Sequence, residues 1–564
     1  MKDTYILGIS AFYHDSAAAL LKNGEIIAAA QEERFTRKKH DPSFPSKAIE
    51  YCLKEAGISV NDVYIAAFYN KPDSILKKIL LERYIRTELG YGGLVTFSKK
   101  HHSHAASAFY PSPYNNAAVL TIEGMEKDTS SSFGFGRGNR IKIYRNMKFP
   151  HSLGLLYSAF TRYCGFKIKS GEYKLMGLAA YGKPRYADVI LKNLIDLKED
   201  GSFKLNLKYF DHRNEQTLLN ERFEELFGGV PRRPEGKLEQ KYMDLARSVQ
   251  VVTEMAIMNM VKSLHRKTGL ENLCLSGALA LNCVSNSKVL KDGPFRNTWI
   301  QPASSDAGGA VGAAFIAWHE CLEKKREVKN NKDGQKGSFL GPEFSDEEVE
   351  KFLIAKGITF KRFERNKLLE VVSGFLADKK VVGWFQGRME FGPRALGSRS
   401  IIADPRSKEM KSIINDRIKF RESFRPFAPS VLLESAEEYF ELDQEDPYML
   451  LTSSVRKDAK IPSVTHVDNS SRVQTVKRED NPLYYDLIKK FHEVHGCPVV
   501  INTSFNTRGE PIVCTPDDAY KCFMETDIDC LVMGSFIVEK DKQRVKERKK
   551  EKRCVYYLQV EQDF

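Results

Sequence analysis

The ten cysteines of this 564-residue chain form no Cys-x-x-Cys pair. They lie scattered from Cys52 to Cys554, mostly in apolar surroundings such as NLCLSG at 272–277. The spacing argues against a disulfide framework and a structural zinc site, and reduced core thiols are expected. No apolar run approaches the ~18 residues that would span a bilayer, so no membrane partner is expected. The start, Met1-Lys2-Asp3-Thr4-Tyr5, leads straight into YILGIS and lacks the basic, apolar and small-residue regions of a secretory signal. A cytoplasmic location is the expectation. Helix-turn-helix, zinc-finger and aromatic RNA-binding signatures are missing, which argues against nucleic acid as a partner. No period of 20–50 residues marks a repeat array.

The composition is that of a globular protein, with 42% hydrophobic and 29% charged residues. Such a length suits roughly three or four domains or subdomains. The net charge of +13 reads first as a solvated basic surface with a charged tail over 540–553 (KDKQRVKERKKEKR). Attraction to nucleotides and phosphates is the functional alternative.

Along the chain, TYILGIS, SAAALLK and EIIAAAQEERF read as strands, with Asn23-Gly24 as a hairpin turn between the last two. A helix, SKAIEYCLKEAG, should stop at Gly57, and DVYIAAFY is another strand. This order resembles one half of an actin-like ATPase core. A comparable pattern restarts near Asn116: the strand AAVLTIEG, a hairpin over 131–149, and a long amphipathic helix over 238–267. Leu245, Val249, Val252, Ala256, Met260 and Leu264 form its core face. The polar stretch Glu327 to Ser338 is the expected linker, with a boundary near Phe339 to Phe344.

Several segments carry chemistry. Gly387 to Ser430 holds Arg388, Arg394, Arg399, Arg406, Arg417, Lys419, Arg421 and Arg425 among fixed Pro and Gly turns. Arginine forks bind phosphate oxygens in pairs, which suits a nucleotide or acyl phosphate site. The apolar strand of 498–501 runs into Asn502, Thr503, Ser504 and Asn506, whose amides and hydroxyls can hold phosphate or ribose beyond a strand end. His14 lies in the turn between the first two strands, where a general base could work. His101, His102 and His104 open a predicted helix; with Glu123 and Asp306 at other element ends they could ligate a divalent metal. The turns Ser276-Gly277-Ala278 and Asp306-Ala307-Gly308-Gly309 are each expected to precede a helix and could cradle phosphate on backbone N–H groups. Neither is a Walker or Rossmann motif.

Together, AFYHDSAAAL, EERFTRKKHD, HAASAFYPSP, HSLGLLYSAFTRYCGF, GEYKLMGLAAYG, DAGGAVGAA, MEFGPRALGSRSIIADPR, FRPFAP, SRVQTV and NTSFNTRGEPIV resemble, in order and over nearly the whole chain, the O-carbamoyltransferases of antibiotic, nodulation-factor and toxin biosynthesis. The resemblance implies an α/β chain with an actin-like (ASKHA) transfer domain of two halves, 1–340, and a YrdC-like α/β domain, 341–564. It implies that the second makes carbamoyl-adenylate from ATP and carbamoyl phosphate, and that the first passes carbamoyl to a hydroxyl of a small-molecule acceptor. Arg394, Lys419, Arg425, Arg472 and Ser504 are then similar to the adenylate-forming site, with Asn502 and Asn506 beside it. His14 resembles the base near the acceptor hydroxyl and Lys39 a nearby cation. Glu172, Lys174 and Gly277 fall near the adenylate. A homodimer is carried beside the monomer as an arrangement for the chain.

The resemblance also implies a divalent metal, iron, and there the sequence departs. The family places two histidines four apart, whereas Lys100 stands four before His104 and His101 only three before it. The family's Asp-Gly is Glu123-Gly124, and its Ser-Gly-Gly turn is Ser276-Gly277-Ala278. His104 and Asp306 are kept. Two readings follow: a transferase whose metal moves onto His101, His104, Glu123 and Asp306, or a homologue with an impaired metal site that acts as a nucleotide-binding regulatory partner.

Overall fold

The computed structural model describes residues 3–124, 128–211, 218–328 and 332–543. Residues of the basic tail from 544 onward lie outside them.

The first part of the chain is built twice on one plan. Strands β1 (Tyr5–Ser10), β2 (Ala17–Lys22), β3 (Glu25–Gln31), β4 (Val63–Phe68) and β5 (Leu94–Phe97) form a sheet in the order β3-β2-β1-β4-β5. β1 to β3 are an antiparallel meander, and β4 and β5 run parallel to β1. Strands β6 (Asn116–Ile122), β7 (Thr129–Arg137), β8 (Arg140–Lys148), β9 (Asn272–Ser276) and β10 (Asn297–Ile300) repeat this as β8-β7-β6-β9-β10, with the same strand directions. A duplicated meander extended by two parallel crossover strands is the actin-like fold, in two halves as expected. Local chemistry explains the elements. Asn23 and Gly24 both take positive φ (51° and 87°), which a tight hairpin needs and few other residues accept. Helix α1 (Ser46–Ala56) ends on Gly57 in the left-handed region.

Further helices are α2 (Lys100–Phe109), α3 (Leu153–Tyr163), α4 (Glu172–Ala179), α5 (Gln240–Thr268) and α6 (Asp306–Ile316). The predicted stripe of α5 is buried from Leu245 to Leu264. α6 packs against β1, β2 and α2. Glycines permit that closeness: a Cβ on Gly312 would lie 1.8 Å from the Ser103 carbonyl oxygen of α2, and one on Gly8 of β1 would lie 2.0 Å from that of Ala310 in α6. This corrects the reading of 306–309 as a turn before a helix. Asp306 is already the first helical residue, and the glycines serve packing.

The second part has its own core, from Val349 to Val538. Among the described residues its sheet has eight strands: β11 (Lys361–Arg362), β12 (Val382–Phe385), β13 (Arg399–Ala403), β14 (Ala428–Leu432), β15 (Gln474–Val476), β16 (Val499–Ser504), β17 (Cys530–Met533) and β18 (Phe536–Glu539). Their order is β11-β18-β17-β12-β13-β16-β14-β15. The β12–β17 and β14–β15 pairs are parallel and the others antiparallel.

The two parts are stitched rather than loosely joined. Residues 332–338 of the expected linker are packed: Asp333 accepts from Trp299 Nε1 (3.1 Å) and from the Tyr448 hydroxyl (2.8 Å), and Gln335, Gly337 and Ser338 are buried. Asp333 and Gln335 spend their polarity on internal hydrogen bonds, while Lys332 and Lys336 stay exposed. Arg388 donates to Ile27 O (3.0 Å) and Leu340 O (2.8 Å), Arg34 to Gly392 O (2.8 Å), and Arg37 to Ile512 O (2.7 Å). The nine described cysteines are all free thiols. No described helix is long and apolar enough to cross a membrane.

Gly312→Ala should lower the thermal unfolding midpoint of the first core. Alanine gains up to ~1 kcal/mol in helix propensity. The forced separation of α6 from α2 costs about 1–3 kcal/mol or more, because a backbone oxygen cannot rotate away. An unchanged melting curve would contradict the packing.

Candidate functional site

Two clusters of charged side chains lie at element ends. In the first, α2 and α6 begin close together, so that Lys100 Nζ stands 2.7 Å from Asp306 Oδ1. The ammonium also lies over the rings of Tyr13 (4.4 Å) and Tyr69 (5.4 Å). One helical turn on, His104 Nε2 is 3.1 Å from Glu123 Oε1 at the end of β6. His104 and Asp306 are almost completely buried, and both His104 ring nitrogens and Asp306 Oδ2 lack hydrogen-bond partners. The β1–β2 turn brings His14, whose Nδ1 bonds Asp15 (3.0 Å) and whose Nε2 is 3.9 Å from Asp306 Oδ2. His40 Nδ1 bonds the other oxygen of Asp15 (2.7 Å).

The electrostatics follow from burial and these neighbours. Burial and then the Lys100 charge push His104 down to about 3. Burial lifts Glu123 to about 7 against the pull of Lys100. Burial also opposes the charge on Asp306, but Lys100, His14 and His104 outweigh it and hold the carboxyl below its ordinary value. For His14 burial opposes the proton, yet Asp306 and Asp15 hold its pKa up at about 9. At neutral pH His14 is therefore charged in this arrangement.

The second cluster lies where the two cores meet. β16 ends at Ser504, and the following turn carries Asn506. Four oxygens there receive Lys419 Nζ: Ser504 O (2.6 Å), Ser504 Oγ (3.2 Å), Asn506 O (2.9 Å) and Asn506 Oδ1 (2.7 Å). None is a carboxylate. Burial, then Arg421 and Arg425, hold Lys419 well below its usual pKa. Arg421 is depressed by burial and by Arg425, and Arg394 falls to about 9 through burial and Arg472. The Nε atoms of Arg394 and Arg472 are buried without partners. From the first core, Lys174 pairs with Glu422 (2.7 Å), and Tyr173 lies under the Arg425 guanidinium (4.9 Å). Burial would raise the Tyr173 pKa, but Arg425, Lys39, Lys174 and Arg421 together bring it below its ordinary value. Among the described residues, Glu422 and Asp446 are the acids that bear on Arg394, Arg421 and Arg472. Asp446 spends its oxygens on the N–H groups of Tyr448, Leu450 and Leu451, and burial lifts it to about 7. Cations so crowded, with so little countercharge, make a site for a polyanion.

Residues 5–92 and 92–315 match the family model described as carbamoyltransferase N-terminus, and residues 373–540 match carbamoyltransferase C-terminus. The chain belongs to the carbamoyltransferase family. Similar relatives include the uncharacterized protein sll1178 of Synechocystis sp., 48% identical over 97% of this chain and 98% of its own. The nodulation protein NolNO of Sinorhizobium fredii is 37% identical over 94% of this chain and 79% of its own. The 3'-hydroxymethylcephem-O-carbamoyltransferase of Amycolatopsis lactamdurans is 28% identical over 92% and 96%.

In this carbamoyltransferase the expected site residues divide. Arg394, Lys419, Arg425, Arg472, Ser504 and Asn506 converge, with Lys39 and Lys174 facing them from the first core. Asn502 is a buried brace, donating to Gln474 Oε1 (2.9 Å) and Ser430 Oγ (3.1 Å). Glu172 accepts from Ser158 Oγ (2.8 Å) and Lys169 N (3.0 Å) and so steadies its own helix. Gly277 has φ of 92°, and a Cβ there would strike Ile122 O at 2.4 Å. Its bareness lets β9 close on β6, and the next amide, Ala278 N, donates to Glu123 Oε1 (3.2 Å).

Within the arginine-rich run the phosphate reading needs correction at three positions. Arg399 is fully buried against Phe385 and donates to Gln386 O (2.9 Å), Gly387 O (3.0 Å) and Pro342 O (2.9 Å). Arg388 bonds the first core, and Arg406 clamps Asp404 (2.9 and 3.0 Å). These forks satisfy protein oxygens. Tyr173, Glu422 and the Asp15–His40 pair were not singled out from sequence. Tyr173 stands between two residues that were, which is its one local signal.

The residues implied for a divalent metal do not fit one. His101 is turned away, with Nδ1 bonded to Thr121 Oγ1 (2.7 Å) and Nε2 to Thr129 O (2.8 Å). An ammonium offers no lone pair. A divalent ion about 4 Å from the Lys100 charge would meet a repulsion of roughly 8 kcal/mol at an effective dielectric of about 20. Among the described residues, the one group whose ligand atoms lie within 4.8 Å of one another is Asp15, Glu33 and His40, a possible metal site that includes none of the implied ligands.

Phenolate absorbance, taken as the difference between the protein and its Tyr173→Phe variant, should show Tyr173 ionising below free tyrosine. Saturating pyrophosphate should move that ionisation upward, because a bound anion cancels the cations that favour phenolate. A normal titration that pyrophosphate leaves unmoved would contradict the anion site.

Proposed function

We propose that this carbamoyltransferase is ATP-dependent and modifies a hydroxyl of a small molecule. The observation that carries the reading is the convergence of Arg394, Lys419, Arg421, Arg425 and Arg472 on one another with few carboxylates. An acyl phosphate and a nucleoside triphosphate together bring the negative charge such a cluster needs. In our reading residues 341–564 form a YrdC-like unit that makes carbamoyl-adenylate, and residues 1–340 carry out the transfer. Conservation of atoms sets the products of the first step. Carbamoyl phosphate, ATP and one water give carbamoyl-adenylate, phosphate and pyrophosphate. Lys419, fixed by Ser504 and Asn506, and the arginines offset the charge that develops on the phosphates.

In the second step the acceptor oxygen bonds to the carbamoyl carbon and AMP leaves. An adenylate suits this because AMP is a good leaving group. We place His14 beside the acceptor hydroxyl. Asp15 holds its Nδ1, which leaves Nε2 to face Asp306 and the substrate. A hydroxyl acceptor is supported by the relative named as an O-carbamoyltransferase of a hydroxymethylcephem. The Lys100–Asp306 pair favours a second reading, a chain that binds nucleotide and regulates without transfer.

Lys419→Ala should abolish pyrophosphate release that depends on carbamoyl phosphate; release that persists would remove Lys419 from that step. His14→Ala should keep this release and lose carbamoylation of an accepted alcohol. A His14→Ala protein that transfers normally would exclude His14. If the unaltered chain releases pyrophosphate but transfers to no hydroxyl acceptor in a broad panel, the regulatory reading replaces this one.

A further inference from the structure

We propose that the transfer site works without a resident metal, and that the ammonium of Lys100 is its built-in cation. The inference rests on the transfer reading above and adds to it a residue and a cofactor requirement. On a helix, positions four apart share a face. Lys100 therefore points where a first metal-binding histidine would point, one turn before His104, and its Nζ reaches Asp306 Oδ1 at 2.7 Å. This is a buried contact: Lys100 is 9% exposed and Asp306 1%. Tyr13 and Tyr69 present ring faces to the charge at 4.4 and 5.4 Å, an environment that stabilises an ammonium.

The neighbouring residues are arranged around that cation. Asp306 is its countercharge. Glu123 lies beyond, against His104, and takes the Ala278 amide. His101, which α2 also carries, is committed through both nitrogens to Thr121 and Thr129. A metal could not take the place of Lys100 without moving a buried side chain out of its ion pair and off two aromatic faces.

The role follows from what leaves in the second step. The acceptor oxygen forms a bond to the carbamoyl carbon, the bond from that carbon to the adenylate oxygen breaks, and AMP departs with the electron pair. The hydroxyl proton passes to solvent. Negative charge grows on the carbamoyl oxygen and on AMP, and a fixed ammonium stabilises it as a preorganised cation does. The same ammonium pairs with one oxygen of Asp306, whose other oxygen faces His14 Nε2 at 3.9 Å.

The test counts metal in the intact chain. The protein, Lys100→His and Lys100→His/Asp306→Asn are each incubated anaerobically with ferrous iron or with zinc, desalted and analysed by mass spectrometry for metal. The unaltered chain should keep no equivalent that depends on Asp306, whereas Lys100→His should gain one and lose it again with Asp306→Asn. Metal in the unaltered chain that His40→Ala removes and Asp306→Asn does not would belong to the Asp15 group and, because Asp15 also holds His14, would overturn the proposal. One equivalent in the unaltered chain that Asp306→Asn or His104→Ala removes overturns it. Transfer from preformed carbamoyl-adenylate should be indifferent to chelator and should fall at least tenfold in a folded Lys100→Met variant; inhibition by chelator, reversed by iron, also overturns it. Failure to form carbamoyl-adenylate at all would sink the transfer reading but not the metal count.

Discussion

Like charges held close together in a low-dielectric interface are the constraint on which this molecule depends. Arg421 and Arg425 depress Lys419, Arg425 depresses Arg421, and Arg472 depresses Arg394. Each alone would be costly to bury. For Lys419 and Arg421 backbone and amide oxygens receive the donors: Ser504 and Asn506 receive Lys419, and Asn415 and Pro426 receive Arg421. Such an arrangement stays electrostatically unfinished until an anion arrives. Because Tyr173 and Lys174 come from the first core and the arginines from the second, a bound anion would also draw the two cores together.

The first core meets the opposite problem. Asp306 and Glu123 are buried acids, and Lys100 lies among them. The arrangement depends on backbone closeness rather than on side chains alone. Gly8 and Gly312 let α6 approach β1 and α2 at distances no Cβ would allow, and this sets the starts of α2 and α6 against each other. The packing of this half thus determines that Lys100 and Asp306 meet at the starts of α2 and α6.

Much of the fold was legible in the sequence because its signals are local. The Asn23-Gly24 turn, the Gly57 stop and the stripe of Leu245 to Leu264 all report on neighbours a few residues away, and each element formed where its pattern placed it. Less legible were features set by distant partners. His101 and His104 share a helix face, yet Thr121 of β6 and Thr129 of β7 take up both nitrogens of the first ring. Arg399 and Arg394 share one motif; the carbonyls of Pro342 and Gln386 claim the first, whereas the second lies beside the like charge of Arg472. Spacing alone cannot separate a fork that binds substrate from one that binds backbone. The segment 332–338 read as a spacer because it is polar, but Trp299 and Tyr448 use that polarity internally.

The most direct test of the whole account needs the purified, unaltered protein, ATP and carbamoyl phosphate, with no acceptor present. Pyrophosphate should appear only when carbamoyl phosphate is supplied, and carbamoyl-adenylate should be recoverable from the protein. Folded protein that binds ATP but releases no pyrophosphate under these conditions would contradict the assignment of the cation cluster to adenylate formation.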